Sequence, residues 1–450
     1  MNRLFTTLLA LLLTAGLLAP SPGQATPVLS NGADGLVVVD EDDEDDDEKE
    51  NAETALYEEP KPDLENSPFT VTAAQEDGPS LNVNFSGSIR FGVLFRNYGA
   101  GQGGNFEDQA DNVLKDGGFT FDTFRVGANG SYGDMIFDFE WAFYPESFGG
   151  NYIHHGWVGY EFSDARQIQV GVSQVPFGIQ PYASSSWFFN FGYYVGLEDD
   201  YDAGIKALYQ TGNWDVQGAY YMNAEQTDFF GDSNAGRYSY DVISRTNAGY
   251  INARGVTEQH QFNAKVAYTF DHGDLGSTKL GVSAQRGQLL NEGTDETDWH
   301  AAWAAHLQGR YSGFEAKLQF SQQEMNPPGV GDDRFVIMGA YGSPNRVASE
   351  VDVYSSSLAY HLPVDIGPIS EFKPYYDFSL VTKEVDGWND NAMHDFGVLT
   401  SAGPLFVYTD LIISKGHPFN QPFDASFSRA LSNPEDEWRT ALNVNIGIYF

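Results

Sequence analysis

The stretch Arg-Thr-Ala-Leu-Asn-Val-Asn-Ile-Gly-Ile-Tyr-Phe (RTALNVNIGIYF, 439–450) alternates without a break. Leu442, Val444, Ile446, Ile448 and Phe450 fall on one parity; Ala441, Asn443, Asn445, Gly447 and Tyr449 fall on the other. Successive side chains of a strand point to opposite faces, so this is a strand with one apolar and one polar face. The same pattern opens at Leu81, where Leu81, Val83, Phe85, Ile89, Phe91, Val93 and Phe95 share a parity and Asn82, Asn84, Ser86, Ser88 and Arg90 lie between them. Phe137, Phe139, Trp141 and Phe143 alternate with Asp138, Glu140 and Ala142.

About sixteen such segments follow one another, most of roughly ten residues or more, the length a tilted strand needs to cross a bilayer. They span 81–96, 119–132, 135–145, 152–162, 166–175, 201–211, 213–223, 259–270, 277–289, 297–311, 313–324, 351–362, 370–383, 391–402, 404–415 and 437–450. Every second connection is short, as at Tyr132-Gly133-Asp134, Ser163-Asp164-Ala165, Gly212 and Ser312-Gly313. Most of the others are long: 97–118, 176–200, 224–258, 325–350 and 416–436. Short turns on one side and long loops on the other are the habit of an outer-membrane barrel, with an even strand number and both ends in the periplasm.

In lipid every strand must pair, so the sheet must close and the last strand must meet the first. The apolar face of 439–450 then meets lipid, and Trp438 and Tyr449-Phe450 mark the two interfaces. A propeller would repeat a blade sequence, and none is visible. A soluble sandwich does not need strands this long or turns that alternate in length. The expected fold is an all-β, closed transmembrane antiparallel barrel of about 16 strands over 81–450.

Composition narrows the function. The chain of 450 residues carries 24 basic and 63 acidic side chains, a net charge of −39, with 25 Tyr, 33 Phe, 48 Gly and no Cys. The absence of Cys excludes disulfides, thiolate catalysis and Cys-ligated metals. A charge this negative argues against nucleic acid as a partner. Residues 1–25 read as a signal peptide: Arg3, an apolar run from Leu4 to Leu18, then Gly23-Gln24-Ala25 before the cut. That run is short for a spanning helix, which is the rival reading. Residues 26–80 form an acidic segment, with Asp40 to Glu48 all acidic, expected to be disordered and periplasmic. Its plain reading is a solvated tether and its sharper one is cation capture, although EF-hand spacing is missing.

Several stretches resemble the phosphate-selective porin O and P family: QVGVSQVPFG (169–178), VDVYSSSLAYHLPVDIGPISEFKPYYDFS (351–379), HDFGVLTSAGPLFVYTDLIISKGHP (394–418) and NVNIGIYF (443–450). The resemblance covers roughly 81–450. It implies a sixteen-stranded barrel, a homotrimer, and a loop after strand five folded into the pore. A C-terminal aromatic like Phe450 also resembles the signal read by the outer-membrane assembly machinery. The family's basic channel lining is not matched residue by residue, so the resemblance leaves the solute open.

A porin does no chemistry, and its selectivity comes from pore width and lining charge. The expected constriction is 176–200, PFGIQPYASSSWFFNFGYYVGLEDD. Pro176, Gly178 and Pro181 turn it inward, with Phe177 in the same loop; Trp187, Phe188, Phe189 and Phe191 pack on the wall, and Glu198, Asp199 and Asp200 stand near the opening. Capping the rim or filling a trimer contact is the other use of these aromatics. Parity gives a basic lumen set of Arg90, Arg96, Arg125, Lys206, Lys265, Lys317 and Lys373. It gives an acidic set of Asp138, Glu140, Glu161, Asp215, Glu315, Asp377 and Asp410. Either they face each other across the pore as a transverse field, or they pair as lumen salt bridges.

The expected function is a passive diffusion channel for small hydrophilic solutes and ions. From Leu81 on, acids outnumber bases by 45 to 21, which favours cations by concentrating them at the mouth. An anion or phosphate channel, as in the resembled family, is one alternative. A non-conducting surface or tethering barrel is another. No cofactor is expected, except Ca²⁺ or Mg²⁺ at acidic loops such as Glu292–Asp298 and Asp332-Asp333. An enzyme would need a nucleophile with an oriented base. No His lies in a GxSxG context, and His154 and His155, adjacent on a strand, are expected to point to opposite faces.

Overall fold

The computed structural model describes residues 70–75, 78–98, 118–225, 233–246, 248–422 and 427–450. Residues 1–25, expected to be a signal peptide, and nearly all of the expected acidic segment lie outside the described residues. Sixteen antiparallel strands close into one barrel. They are β1 Gly78–Arg96, β2 Gly118–Tyr132, β3 Met135–Phe143, β4 Asn151–Ser163, β5 Arg166–Gln174, β6 Tyr201–Thr211, β7 Trp214–Ala224 and β8 Val256–Asp271. Then come β9 Ser277–Asn291, β10 Glu296–Tyr311, β11 Phe314–Met325, β12 Glu350–Tyr360, β13 Ile369–Lys383, β14 Asn391–Ala402, β15 Leu405–Lys415 and β16 Arg439–Tyr449.

Each strand pairs with its neighbour in sequence, and β16 closes the sheet on β1, with Ile448 opposite Ile89 and Leu442 opposite Phe95. Past the end of β16, Phe450 and Gly87 exchange backbone hydrogen bonds of 2.9 and 2.6 Å. The pairing leaves no barrel edge, as lipid requires. The turn between β6 and β7 is only Gly212-Asn213, with Gly212 at φ +52°, a left-handed conformation that glycine adopts without steric cost.

Burial follows the expected parity. Asn443 and Asn445 are buried inside, while Leu442, Ile448 and Phe450 are exposed on the outer face. Leu318 in β11 is 52% exposed, while its neighbours Lys317 and Gln319 are buried. Leu318→Arg is therefore expected to destabilise the barrel in lipid by about 2–4 kcal/mol, the cost of a midplane cation on a lipid face. Urea unfolding in lipid vesicles measures it. No loss would mean that this face is not in hydrocarbon.

Five short strands lie outside the sixteen. Thr70–Gln75 pairs antiparallel with the start of β1, so strand structure begins before Leu81. Leu362–Ile366 forms a small hairpin with β13. At the long-loop end, Phe335–Ala340 pairs with Ser343–Ala348 and with Asp241–Val242, joining two long loops. The main apolar core lies inside the barrel, where Phe177, Tyr193 and Leu197 pack with Tyr240, Val336 and Met338.

Candidate functional site: the lumen and the segment that crosses it

After β5 the chain turns inward. Gly178 sits at φ +58°, and a Cβ there would lie 2.4 Å from Oε1 of Gln319. The left-handed φ is what requires glycine here, since the Gln319 side chain could shift. Gly178 N donates to Ser283 Oγ of β9 at 2.9 Å, and Ile179 N to Gln319 Oε1 of β11 at 2.7 Å. Lys317 Nζ donates to Ser184 O at 2.9 Å. Ser185 N and Ser186 N both donate to Asp377 Oδ2 of β13 at 2.8 Å. Trp187 packs on Tyr408 of β15, and the Arg90 guanidinium of β1 lies 4.5 Å from its ring centre. Asn190 caps the short turn Phe191–Tyr194 by accepting from Gly192 N at 2.7 Å. The segment leaves the wall at β5, reaches the opposite strands and returns to β6. Pro176 and Phe177 lie at its entry, both buried.

Its three acids are not where the sequence suggested. Glu198, Asp199 and Asp200, expected near the opening, are 3%, 5% and 7% exposed. Glu198 accepts from Asn190 Nδ2 at 2.6 Å, Ala183 N at 3.3 Å and Gln319 Nε2 at 3.1 Å. Asp199 accepts from Tyr238 Oη at 2.5 Å and Gln174 Nε2 at 3.1 Å. Amide and phenol donors removed from water need acceptors, and these carboxylates supply them.

Burial pushes Glu198 up to about 7. A carboxyl whose pKa is raised on docking stabilises the docked segment fully below its ordinary value of about 4.5 and loses that contribution as pH rises through about 7. The segment is thus expected to resist proteolysis better near pH 5 than near pH 8. Glu198→Gln should reduce that difference, with Asp200 of the same segment supplying the rest; an unchanged pH dependence in the variant would contradict the assignment.

Asp200 belongs to a second group. Asp200, Asp202 and Asp241 offer carboxylate oxygens within 4.8 Å of one another, all buried. Glu225 and Glu258 act on the same group electrostatically. Arg237, fully buried, bonds Asp241 at 2.7 Å and lies 3.4 Å from Glu225. Asp200 Oδ1 and Asp202 Oδ1 have no hydrogen-bond partner. The sequence reading missed Arg237, Asp241 and Glu225; an isolated Arg in the aromatic run SNAGRYSYDV (233–242) was the available signal.

On the wall, four of the seven predicted bases pair with three of the seven predicted acids. Arg125 lies 3.1 Å from Glu140, Lys265 4.0 Å from Asp215, Lys317 3.2 Å and Lys373 3.9 Å from Glu315. Arg90 pairs with Asp122 at 3.1 Å. Lys206 Nζ donates to Gln174 O at 3.0 Å. Asp410 accepts from Tyr375 Oη, and from Asn443 Nδ2 at 3.1 Å. Asp377, Asp395 and Asp410 sit on three successive strands, all fully buried. Arg96 is half-buried beside Tyr98, and Glu161 is exposed at the short-turn end of β4, accepting from Gln167 Nε2. Asp138 lies near His155.

His154 and His155 do not point apart. The pairing of β3 with β4 slips between Glu140 and Trp141: Glu140 lies opposite His155, Trp141 opposite Ile153, and His154 is the extra residue. A bulge interrupts the alternation and brings both rings to the inner face, with their Nδ1 atoms 2.8 Å apart.

No family model matches the chain, and no curated protein matches it in sequence. Among solved structures, the outer membrane channel DcaP of Acinetobacter baumannii is similar at TM-score 0.53 and 11% identity, over 84% of this chain and 99% of that one. OprB of Pseudomonas putida is similar at TM-score 0.50 and 8% identity, over 82% of this chain and 94% of that one. At these identities the likeness is one of fold. The closed barrel, its apolar outer face and this likeness define the class: an outer-membrane β-barrel with the architecture of the channel proteins. The likeness does not single out the phosphate-selective porin O and P family.

Proposed function

We propose that the chain is an outer-membrane porin, a passive diffusion channel for small hydrophilic solutes and ions that prefers cations. The observation that carries this reading is the segment Val175–Asp200, held by hydrogen bonds across a polar barrel interior. A barrel narrowed from within by its own loop sets a solute size limit. The cation preference rests on the acidic excess of the barrel region. It does not rest on Glu198, Asp199 and Asp200 as mouth residues. Pairing leaves Asp377, Asp395 and Asp410 as an acidic row beside the crossing segment. The basic side chains Arg90, Arg125, Lys206 and Lys265 favour the anion reading.

The Asp200, Asp202 and Asp241 group is where this reading places Ca²⁺ or Mg²⁺, since hard cations take several oxygen ligands and two of its carboxylate oxygens lack a hydrogen-bond partner. The homotrimer implied by the resemblance belongs to the same reading, and native mass spectrometry of the detergent-extracted protein tests it. Swelling of vesicles containing the purified chain in small neutral sugars tests the channel. Swelling that falls with sugar size supports it. Vesicles that stay impermeable would point to a tethering barrel.

A further inference from the structure

We propose that the inner wall at β3 and β4 binds one divalent transition-metal ion through His154, His155 and Glu140. The bulge at His154 creates the site. In an unbroken strand only one of two adjacent imidazoles can face the lumen; here both do, with Nδ1 atoms 2.8 Å apart and Glu140 Oε1 3.4 Å from His154 Nδ1. Ligand atoms about 2.0–2.2 Å from a tetrahedral ion stand roughly 3.3 Å from one another. A small opening of the imidazole pair therefore admits the ion. All three donor atoms lie within 4.8 Å of one another.

The surroundings orient the donors. Asp138 Oδ1 lies 3.1 Å from His155 Nε2, off the line of a good hydrogen bond until the ring turns slightly. A carboxylate behind a metal-binding imidazole holds the distal N–H and presents the other nitrogen's lone pair to the ion. The His154 ring is fixed against Tyr238 and Tyr201, with centroids 4.0 and 4.8 Å away. Arg125 Nη1 lies 3.1 Å from Glu140 Oε1 and holds that carboxylate in place, while Asp138 sets a second negative charge beside the imidazoles. The Glu140 and Asp138 side chains are 22% and 28% exposed, which gives an ion a route from water.

Two imidazoles and a carboxylate favour Zn²⁺, Ni²⁺, Cu²⁺ or Co²⁺ over Ca²⁺ and Mg²⁺. That separates this site from the all-oxygen group at Asp200. Without metal, the two Nδ1 atoms must share a proton, one donating and one accepting.

The test is a titration of the full-length protein, purified without a histidine tag, with Co²⁺ alone, read by its visible absorption. One Co²⁺ per chain should saturate, be displaced by Zn²⁺ and resist excess Ca²⁺. His154→Ala and His155→Gln should each abolish the signal. Asp138→Asn should weaken binding by about 10–100-fold. Trypsin resistance of each variant shows that the barrel is intact. Absence of saturable binding below about 1 mM, or a signal that survives both His substitutions, would overturn the proposal. The readout does not depend on conductance, so this site and the channel reading can fail separately.

Discussion

Replacing Arg237 with Met is expected to unfasten the long loop between β7 and β8 while leaving the barrel closed. Arg237 is fully buried and is bonded to Asp241 at 2.7 Å, to Ser233 Oγ at 2.7 Å and to Asn234 O at 2.9 Å. Removing the cation leaves buried carboxylates without compensation, a loss of about 3–5 kcal/mol where one partner of a buried pair is deleted. The loop should become open to protease at a rate at least 100-fold above the parent, following roughly from that energy.

The direction with pH is fixed by the same residues. Burial pushes Asp200 and Glu225 well above the ordinary carboxylate range. In EDTA, which keeps the Asp200 group free of metal, raised carboxyls stabilise the closed loop at low pH and lose that contribution as pH rises. The defect in Arg237→Met should be worse above neutrality and eased by acid. Adding Asp241→Asn and Glu225→Gln should restore part of the protection, because the uncompensated charges go with the cation. Equal protease sensitivity in parent and Arg237→Met would contradict the account of this cluster.

The second large effect is expected at Asp377. Its Oδ2 accepts from two backbone amides of the crossing segment. Hydrogen bonds to a charged acceptor contribute about 1.5–3 kcal/mol each. Asp377→Ala should release the Ser185-Ser186 tip, giving larger and noisier single-channel currents in a planar bilayer. Asp377→Asn keeps an acceptor and should be milder. Ser185 Oγ and Ser357 Oγ are 2.9 Å apart, and the chain has no Cys. Added to Asp377→Ala, paired Ser185→Cys and Ser357→Cys should therefore quiet the current when oxidised and restore the noise when reduced. Unchanged currents in Asp377→Ala would show that this segment does not limit conduction.

The sixteen barrel strands were legible because a wall between lipid and a polar lumen imposes period two along every strand. Residues 439–450 show it most cleanly, and their pairing with β1 followed from the need for closure. The inward segment was legible as a run of aromatics with glycine and proline at its entry. The acids at its end were misread. Glu198-Asp199-Asp200 looks like a solvated turn in sequence, yet all three are buried, and Glu198 and Asp199 are committed to the interior by groups far away in the chain, Gln319 and Tyr238. The bulge at His154 was invisible because counting parity assumes an unbroken strand. The strands at Asp241–Val242, Phe335–Ala340 and Ser343–Ala348 carried no alternation, since Phe335–Ala340 is buried nearly throughout.

The central claim is a conducting, cation-preferring barrel, and the reversal potential of the purified protein in a planar bilayer across a KCl gradient tests it most directly. The account predicts a reversal potential of the sign that favours K⁺ over Cl⁻, shrinking as salt is raised because the Debye length falls from about 10 Å at 0.1 M. A reversal potential favouring Cl⁻ would contradict the cation preference and assign selectivity to Arg90, Arg125, Lys206 and Lys265, while a membrane that stays silent would contradict the channel itself.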